Sequence, residues 1–376
     1  MKKKVLSIVL AVAMAATLFV GCSNSGEGGT TASSAVSTTT SSETSTASST
    51  ATSTTGTTST TSATPTGTLQ SMISSDEEYI IVNCLNNIEY FNAHKYGWEE
   101  AGKLFGVKTS FMGPADDDMN DMCSAFDSAI AKKPAGIAVW GYDAALDPYI
   151  QKAQDAGIPV VTYVGCTDEH GDTYIGTSQY DLGYEGAKKY AEMLGGKGKV
   201  AILTITGSDM FESRRKGFED GFAEYPDITV VGVGDTKADS TTAVSAAKDL
   251  AVKNPDLNGF VCCDSTGAAG ASTALSELGE TGKVDVLGLD RNTDVLQMIQ
   301  DGTITGSFAQ NDISMSYWAL VTLITEAHYD MPLTSDNKAA GVSVSPSYIY
   351  TSVNLITKDN VEYFLKENEV YATNNF

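Results

Sequence analysis

Histidine and cysteine, the residues that most often hold transition metals, are scarce in this chain. Three histidines (His94, His170 and His328) are scattered along 376 residues, and no pair of the six cysteines has metal-ligand spacing. The sequence therefore predicts no metal site. The glycine-rich segment TGAAGAS at 266–272 follows a predicted strand but lacks the GxGxxG spacing of a dinucleotide site, so no cofactor is predicted either.

Positive charge and long hydrophobic runs are also scarce. Lys and Arg total 24 against 47 Asp and Glu, which gives a formal net charge of −23 and argues against nucleic acids and anionic membrane surfaces as partners. The main apolar run, VLSIVLAVAMAATLFV at 5–20, has 16 residues with only Ser7 and Thr17 polar. It is shorter than the roughly 20 residues that a membrane-spanning helix needs.

The apolar run follows three lysines and ends at Gly21-Cys22, an order that is typical of an export signal. The ending FVGC resembles a bacterial lipobox, in which the cysteine is lipidated and becomes the mature N-terminus. Residues 1–22 are therefore predicted to be a lipoprotein signal peptide with Cys22 as the lipidated residue. The alternative is an ordinary secretory signal. In the lipoprotein interpretation, the protein lies outside the cell, held to the cytoplasmic membrane only by its lipid.

The next segment is dominated by serine and threonine, which supply 26 of the 33 residues from 30 to 62. Such a composition cannot bury enough apolar surface to offset the entropy lost on ordering. We therefore expect 23–76 to be a disordered tether and 77–376 to be the globular part. The cysteines after Cys22 are odd in number, and Cys262-Cys263 lie side by side in a predicted strand. They are interpreted as small buried residues rather than a disulfide framework.

The globular part alternates short apolar runs with helical patterns. Each run of five to seven apolar residues predicts a strand that is buried on both faces, as in a parallel sheet. Two successive series occur, the first with strands near 79–85, 107–113, 136–141 and 158–164, the second with strands near 199–205, 228–234, 257–263, 284–289 and 303–309. They predict an α/β protein with two doubly wound, Rossmann-like lobes.

Polar side chains follow three strands of the second series: Asp264, Asp290 and Gln310. Ligands of doubly wound sheets bind outside the carboxyl ends of the strands. The three residues are therefore expected to converge on one ligand site.

Several motifs, taken together and in order, identify a family. They are NCLNNIEYF, AGIPVVTY, RRKGFEDGF, NPDLNGFVCCDSTGAAGASTAL, VLGLDRNTD, DGTITGSFAQND and LITKDNV. In this order they resemble the type I periplasmic sugar-binding proteins, the ribose-binding-protein-like subunits of ABC importers. The resemblance implies two lobes joined by a three-strand hinge. It places 77–178 and 311–340 in the N-terminal lobe, and 179–310 and 341–376 in the C-terminal lobe.

The same resemblance implies a set of sugar contacts. They are Asn87, for which Asn86 is an alternative, with Tyr90, Phe91, Arg214, Asp264, Asp290 and Gln310. Where ribose binders carry Asp-Arg after the fourth strand, this chain has Val164-Gly165, which argues against ribose itself. Trp140, at the end of the third strand, is a candidate for replacement stacking on the sugar.

Each of these residues also has a structural interpretation. Arg214 stands beside Arg215 and either is a candidate surface charge; Asp290 has the position of a cap for the following helix. One of Tyr90 and Phe91 is expected in the core, as are Tyr163 and Trp318.

The predicted function is capture of a monosaccharide or related polyol by hinge closure, followed by delivery to an ABC permease; the protein is expected to be a monomer. The alternative is a surface receptor for a sugar or autoinducer-2 that signals to a sensor kinase or chemoreceptor. An enzyme is not predicted, because sugar binding accounts for Asp264 and Asp290 equally well and no nucleophile elbow or phosphate loop is present. Related DNA-binding repressors need a helix-turn-helix where this chain has its signal and tether.

Overall fold

The computed structural model describes residues 68–373, apart from 87, 117, 142, 165–170 and 330. The predicted signal peptide, Cys22 and most of the predicted tether lie outside these residues. The tether was predicted to extend too far, because α1 (Leu69–Met72) is helical. Leu69 and Ile73 pack against the hydrophobic core of the first lobe, so the globular part begins before residue 77.

The first lobe is built on a six-stranded sheet in which every pairing is parallel. Its spatial order is β11-β5-β4-β3-β1-β2. The strands are β1 (Glu78–Val82), β2 (Lys108–Met112), β3 (Gly136–Trp140), β4 (Val160–Tyr163), β5 (Thr173–Gly176) and β11 (Tyr348–Tyr350). The helices of this lobe are α2 (Tyr90–Phe105), α3 (Met119–Ala131), α4 (Asp147–Asp155), α10 (Asp312–His328) and the short α11 (Asn337–Ala340).

The second lobe repeats the arrangement, with the order β12-β10-β9-β8-β6-β7 and one antiparallel pairing, between β10 and β12. Its strands are β6 (Lys197–Thr204), β7 (Asp227–Asp235), β8 (Gly259–Cys262), β9 (Asp285–Leu289), β10 (Gly306–Gln310) and β12 (Val353–Thr357). Its helices are α5 (Gln179–Met193), α6 (Asp209–Ala223), α7 (Ser240–Lys253), α8 (Ser265–Leu278), α9 (Thr293–Asp301) and α12 (Val361–Thr373).

Both sheets are covered on both faces, as the continuous apolar strands predicted. In β1, Tyr79 and Ile81 belong to a core shared with α2 and α10, while Ile80 and Val82 belong to a core on the opposite face with α3. All four residues are fully buried. The second sheet likewise has one core with α5 and α6 and another with α7, α8, α9 and α12. The predicted fold class is confirmed.

Three short connections join the lobes: residues 177–178, residue 311 and residues 351–352. The third differs from the expected boundary at 341. Because β11 pairs with β5, residues 348–350 belong to the first sheet and the chain enters the second lobe only after Tyr350.

The interpretation of the cysteines as buried residues holds for three of the four that the structure describes, whereas Cys84 is only partly buried. Cys123, Cys262 and Cys263 are buried thiols outside any disulfide. Burial raises the pKa of the Cys263 thiol to about 12, so both adjacent cysteines are protonated packing residues. Of the two aromatics expected in the core, Tyr163 is fully buried but Trp318 is 45% exposed. The prediction for Trp318 is wrong, because α10 turns the opposite face, with Met315, Ala319 and Leu323, to the sheet.

Candidate ligand-binding site

A cavity of about 540 Å³ opens at the carboxyl ends of both sheets, within the usual size range of small-ligand sites. The family resemblance predicts a ligand site at this position, and so does the tendency of doubly wound sheets to bind ligands outside the carboxyl ends of their strands. Its lining comes from the two lobes and their connections: Tyr90, Trp140, Val164, Gln179, Ser208, Met210, Phe211, Arg214, Asp264, Ser265, Leu289, Asp290 and Gln310.

Six of the eight ligand residues predicted from the sequence line this cavity: Tyr90, Trp140, Arg214, Asp264, Asp290 and Gln310. Phe91 does not. It is 1% exposed and packs edge-on against Trp140, with ring centroids 5.0 Å apart, because neighbouring residues of α2 point in different directions. Residue 87 lies outside the described part of the chain.

The sequence motifs do not identify six further residues that line the cavity: Gln179, Ser208, Met210, Phe211, Ser265 and Leu289. Gln179 is the first residue of α5, a helix that was not assigned from the sequence. Its proximity to the predicted Arg214 becomes visible only when α5 packs on α6. Met210 and Phe211 lie in the first turn of α6, four and three residues before Arg214, so helical spacing was the available signal.

Arg214 is the buried cation of the cavity, at 3% exposure. Its guanidinium donates to the side-chain oxygen of Gln179, from Nε at 3.2 Å and from Nη2, and to the carbonyl oxygen of Cys263 from Nη1. Burial lowers its pKa, while Asp290 and Asp264 act in the opposite direction. Arg214 is therefore held rigidly among oxygen acceptors and is not a surface charge. Arg215 instead pairs with Glu212 and Glu219 on the outside of the helix.

Close packing of α5 on α6 holds Arg214 in this position. An added Cβ at Gly183 would lie 2.0 Å from the carbonyl oxygen of Arg214, and one at Gly217 would lie 2.1 Å from that of Tyr180. Only glycine permits such an approach of two helix backbones. The segments YDLGYEG and RRKGFEDGF thereby place the helix of Arg214 directly against the start of α5.

Asp290 lies in the left-handed backbone region, with φ of 73°. Its N–H donates to the carbonyl of Phe308 at 2.9 Å, and its own carbonyl accepts from the Ser307 hydroxyl at 2.6 Å, so the strained conformation is held from both sides. Among the described residues nothing donates a hydrogen bond to its carboxylate. Burial raises the pKa of this carboxyl, and Arg214 opposes the rise.

Asp290 does not cap the helix that follows it, because the N-cap position of α9 is Asn292. Asp264 caps α8, because its Oδ1 accepts from the N–H of Gly267 at 2.9 Å, and its Oδ2 accepts from the Thr236 hydroxyl at 3.3 Å. A carboxylate has about four lone-pair positions, so Asp264 retains capacity to accept hydrogen bonds from a ligand. Gln310, at the end of β10, is 8% exposed and its side-chain oxygen is buried without a partner among the described residues.

A buried carboxyl group, that of Asp312, lies next to Tyr90 in the first lobe. The Tyr90 hydroxyl donates to Asp312, whose pKa is raised to about 7 mainly by burial. His94 Nε2 lies 3.8 Å from Asp312 Oδ1, and burial lowers the pKa of His94 to about 3, so the imidazole is neutral. Tyr90 packs edge-on against Trp140 with ring centroids 5.9 Å apart. The two rings are therefore fixed before a ligand arrives.

The lobes also contact each other beside the cavity through Glu89, Thr293 and Asn368, which we call the interlobe latch. Glu89 of the first lobe accepts from the N–H of Thr293 at 3.2 Å, from the Thr293 hydroxyl, and from the Asn368 side chain at 3.3 Å. The N-cap residue of α9, Asn292, makes no side-chain capping bond. Glu89 therefore caps a helix of the opposite lobe.

Other kinds of site find no support in the described part of the chain. Those residues contain no cluster of three or more His, Cys, Asp or Glu side chains arranged for a metal ion. None of their helices is both long and apolar enough to cross a membrane. A second recess, of about 550 Å³, lies along the outer edge of the interlobe latch and includes Asn92, Lys95 and Ala372. It lacks the buried charges of the main cavity.

Comparison with known proteins places this geometry in a family. The family model of the periplasmic binding protein domain matches residues 79–328. The D-allose-binding periplasmic protein of Escherichia coli is 25% identical over 266 residues, covering 68% of this chain and 85% of that protein. A D-apiose import binding protein of Actinobacillus succinogenes is 28% identical, covering 57% and 69% respectively.

Among solved structures, AraP, an arabinose-binding protein of Geobacillus stearothermophilus, superposes with a TM-score of 0.72. It is 30% identical and covers 77% of this chain and 99% of its own. A sugar-binding protein of a Bacillus halodurans ABC transporter gives the same TM-score and identity. With two doubly wound lobes, three connections and a cavity between them, the chain belongs to the type I periplasmic sugar-binding protein family, as its sequence motifs predicted.

Proposed function

We propose that the protein is an extracytoplasmic solute-binding lipoprotein that captures a monosaccharide or related polyol between its lobes and delivers it to an ABC importer. The observation that carries the proposal is the set of buried polar groups in the cavity. Arg214 and Gln310 are buried there and Asp290 is partly buried. The side-chain oxygen of Gln310 has no partner among the described residues, and none of these residues donates a hydrogen bond to the Asp290 carboxylate.

Sugar hydroxyls match these groups chemically. A carboxylate such as Asp290 or Asp264 accepts hydroxyl protons in charge-assisted bonds, and the Arg214 fork donates to hydroxyl oxygens in fixed directions. An unpaired buried polar group costs about 1–3 kcal/mol, so a ligand that satisfies several of them favours the closed arrangement of the lobes. Tyr90 and Trp140 cover the C–H face of a sugar ring.

The relatives support a carbohydrate rather than another small ligand. The named relatives are described as binding allose, apiose and arabinose, which are all monosaccharides. The ligand shifts the lobes toward closure only by its differential affinity for the closed form, and the closed surface is then presented to the permease.

The test is binding of sugars to residues 62–376, which form one compact unit. Thermal unfolding is measured with aldoses, ketoses, deoxysugars, polyols and autoinducer-2, and each positive result is quantified by calorimetry. A ligand at 100 times its Kd stabilises by about 2.7 kcal/mol, which is readily detected. Binding of a monosaccharide with one-to-one stoichiometry is expected. If no sugar or polyol shifts the unfolding temperature, the proposal is wrong.

Delivery and anchoring have separate tests. Labelled fatty acid should be incorporated into the full chain but not into its Cys22→Ser variant. Loss of sugar uptake in cells that lack the protein, with uptake restored by the full chain, is expected of an importer subunit. Unchanged uptake together with a lost transcriptional response to the sugar would favour the sensing alternative.

A further inference from the structure

The two lobes contribute different chemistry to the cavity. Among the described residues, its charged side chains all come from the second lobe: Arg214, Asp264 and Asp290. The first lobe supplies Tyr90, Trp140 and Val164. Within the described residues, the cavity is therefore lined by ions and amides from the second lobe and by two aromatic residues and a valine from the first.

The polar atom of Tyr90 is already committed within the protein. Its hydroxyl donates to the buried Asp312. Tyr90 and Trp140 pack edge to face, with ring centroids 5.9 Å apart, and both residues line the cavity. A ligand hydroxyl directed at these rings would have to give up water without a comparable partner.

Val164 strengthens this conclusion, because its backbone is strained. Its φ is 58°, in the left-handed region that β-branched residues rarely adopt. Such a conformation is energetically unfavourable and is found most often at functional sites. The Val164 N–H donates to the carbonyl of Ile175 at 2.8 Å, and the Tyr174 hydroxyl donates to the Val164 carbonyl at 2.8 Å. The backbone is thus fixed in a conformation that would suit Asp or Asn better, and the mostly buried Val164 lies at the edge of the cavity.

Three apolar residues of the second lobe extend the same surface: Met210, Phe211 and Leu289. The Arg214 guanidinium lies 5.5 Å from the centre of the Phe211 ring, so the apolar surface reaches the edge of the charged group. One part of the cavity is therefore suited to C–H or methyl groups, and the rest to hydroxyls.

We propose that the ligand is a deoxy monosaccharide, in which a hydrogen replaces one hydroxyl of the parent sugar, bound with its oxygen-poor part against Val164 and Trp140. This inference rests on the proposed function, since it specifies the sugar that the same cavity takes. Apolar contacts of this kind discriminate against an added hydroxyl by about 10- to 100-fold.

The test uses sugars that differ by one hydroxyl. Calorimetric Kd values for residues 62–376 are compared between D-galactose and 6-deoxy-D-galactose, L-mannose and 6-deoxy-L-mannose, D-glucose and 6-deoxy-D-glucose, and D-ribose with its 2-deoxy and 5-deoxy forms. In at least one pair the deoxy sugar is expected to bind about 10- to 100-fold more tightly. If sugars bind but the parent sugar binds as tightly as its deoxy form, or more tightly, in every pair, the inference is wrong and the proposed function stands. Binding of no sugar at all would overturn both.

Two variants link the preference to the residue. Val164→Thr keeps the shape of the side chain and adds a hydroxyl, while Val164→Asp adds a carboxylate in a backbone conformation that Asp tolerates better than Val. Both are expected to fold, to bind the deoxy sugar less tightly and to shift preference toward the parent sugar, Val164→Asp more strongly. An unchanged ratio of Kd values in variants that retain the wild-type unfolding temperature would contradict the assignment.

Discussion

At the scale of single residues, the cavity holds charges whose partners are incomplete without a ligand. Asp290 is the clearest case, because its backbone is bonded on both sides while its carboxylate accepts no hydrogen bond from the described residues. Its nearest electrostatic support is Arg214. Strain and an unpaired charge at one residue are more typical of a binding group than of a stabilising one.

We expect Asp290→Asn to weaken sugar binding by about 30- to 100-fold, the loss of one charge-assisted hydrogen bond, with little change in the unfolding temperature of the ligand-free protein. Asn accepts the left-handed conformation as readily as Asp, so the fold should be retained. Calorimetry gives the affinity. Asp294→Asn, at an exposed carboxylate in the first turn of α9, is the matched control and should bind as wild type does. Equal affinities for both variants would contradict the placement of the site.

A second residue-scale prediction concerns pH. Burial raises the pKa of Asp312 from 3.8 to about 7, with Arg291 opposing the rise and Asp290 adding to it. Between these values the folded protein keeps a proton that the unfolded chain has released. The contribution of Asp312 to stability is therefore present below pH 4 and is lost as the pH rises to 7, by up to about 1.4 kcal/mol per pH unit.

Asp312→Asn removes this titration. The free energy of unfolding of the variant minus that of the wild type should increase from pH 4 to pH 7 and be level outside that range. Urea unfolding at half-unit pH steps measures the difference. Glu326, whose pKa is also raised to about 7, is present in both proteins and cancels. A difference that does not change with pH would show that Asp312 titrates normally.

At the scale of elements, the contact between α5 and α6 holds the side chain of Arg214 in the cavity. Gly183→Ala would place a methyl group within van der Waals overlap of the Arg214 carbonyl. We expect destabilisation by about 1–3 kcal/mol and a weaker affinity for sugar, because the helices must separate and Arg214 moves. On an exposed helix the same substitution would instead stabilise by up to about 1 kcal/mol.

The control for that experiment is Glu185→Ala, an exposed position on the same helix. It should change the free energy of unfolding by less than about 0.5 kcal/mol. Chemical denaturation of both variants measures the two free energies of unfolding. A Gly183→Ala protein as stable as wild type would mean that α5 and α6 approach each other less closely than the structure indicates.

The limits of sequence reasoning appear at the same scale. Apolar runs such as VAILT and FVCC predicted the buried central strands, because both faces of each strand are covered. The sequence does not predict β5, β11 and β12. β5 and β11 are short, with four and three residues. β11 and β12 pair with strands that are remote in sequence, for example Tyr348 with Tyr174. Trp318 was misplaced because a mostly apolar helix does not reveal which side meets the sheet. The family motifs located Arg214 and Asp290, but the partner Gln179 depended on helix packing.

At the scale of the whole molecule, the interlobe latch joins the two lobes beside the cavity, and we expect it to favour the closed arrangement without touching the ligand. The Glu89 carboxylate accepts a hydrogen bond from the Thr293 N–H at the N-terminus of α9, where the helix dipole favours negative charge. The rings of Tyr96 and Tyr371 meet across the same boundary, with centroids 5.1 Å apart.

Glu89→Ala should raise the dissociation rate of the sugar by about three- to tenfold and leave the association rate nearly unchanged, because the lost bonds form after the ligand has entered. Stopped-flow fluorescence gives both rates. In a double-mutant cycle, Thr293→Ala should add little to Glu89→Ala. Additive effects of the two substitutions would indicate that the residues act separately.

The three connections between the lobes also constrain the order in which the two lobes can fold during synthesis. Neither sheet is contiguous in the chain: the first receives β11 and the second β12 only after residue 347 has emerged. The register of Tyr348 with Tyr174 closes a loop of more than 170 residues, and such remote pairings slow folding. A chain that stops near residue 340 therefore lacks an edge strand in both sheets at once. Completion of either lobe must wait for nearly the last part of the polypeptide, so the two halves mature together rather than in succession.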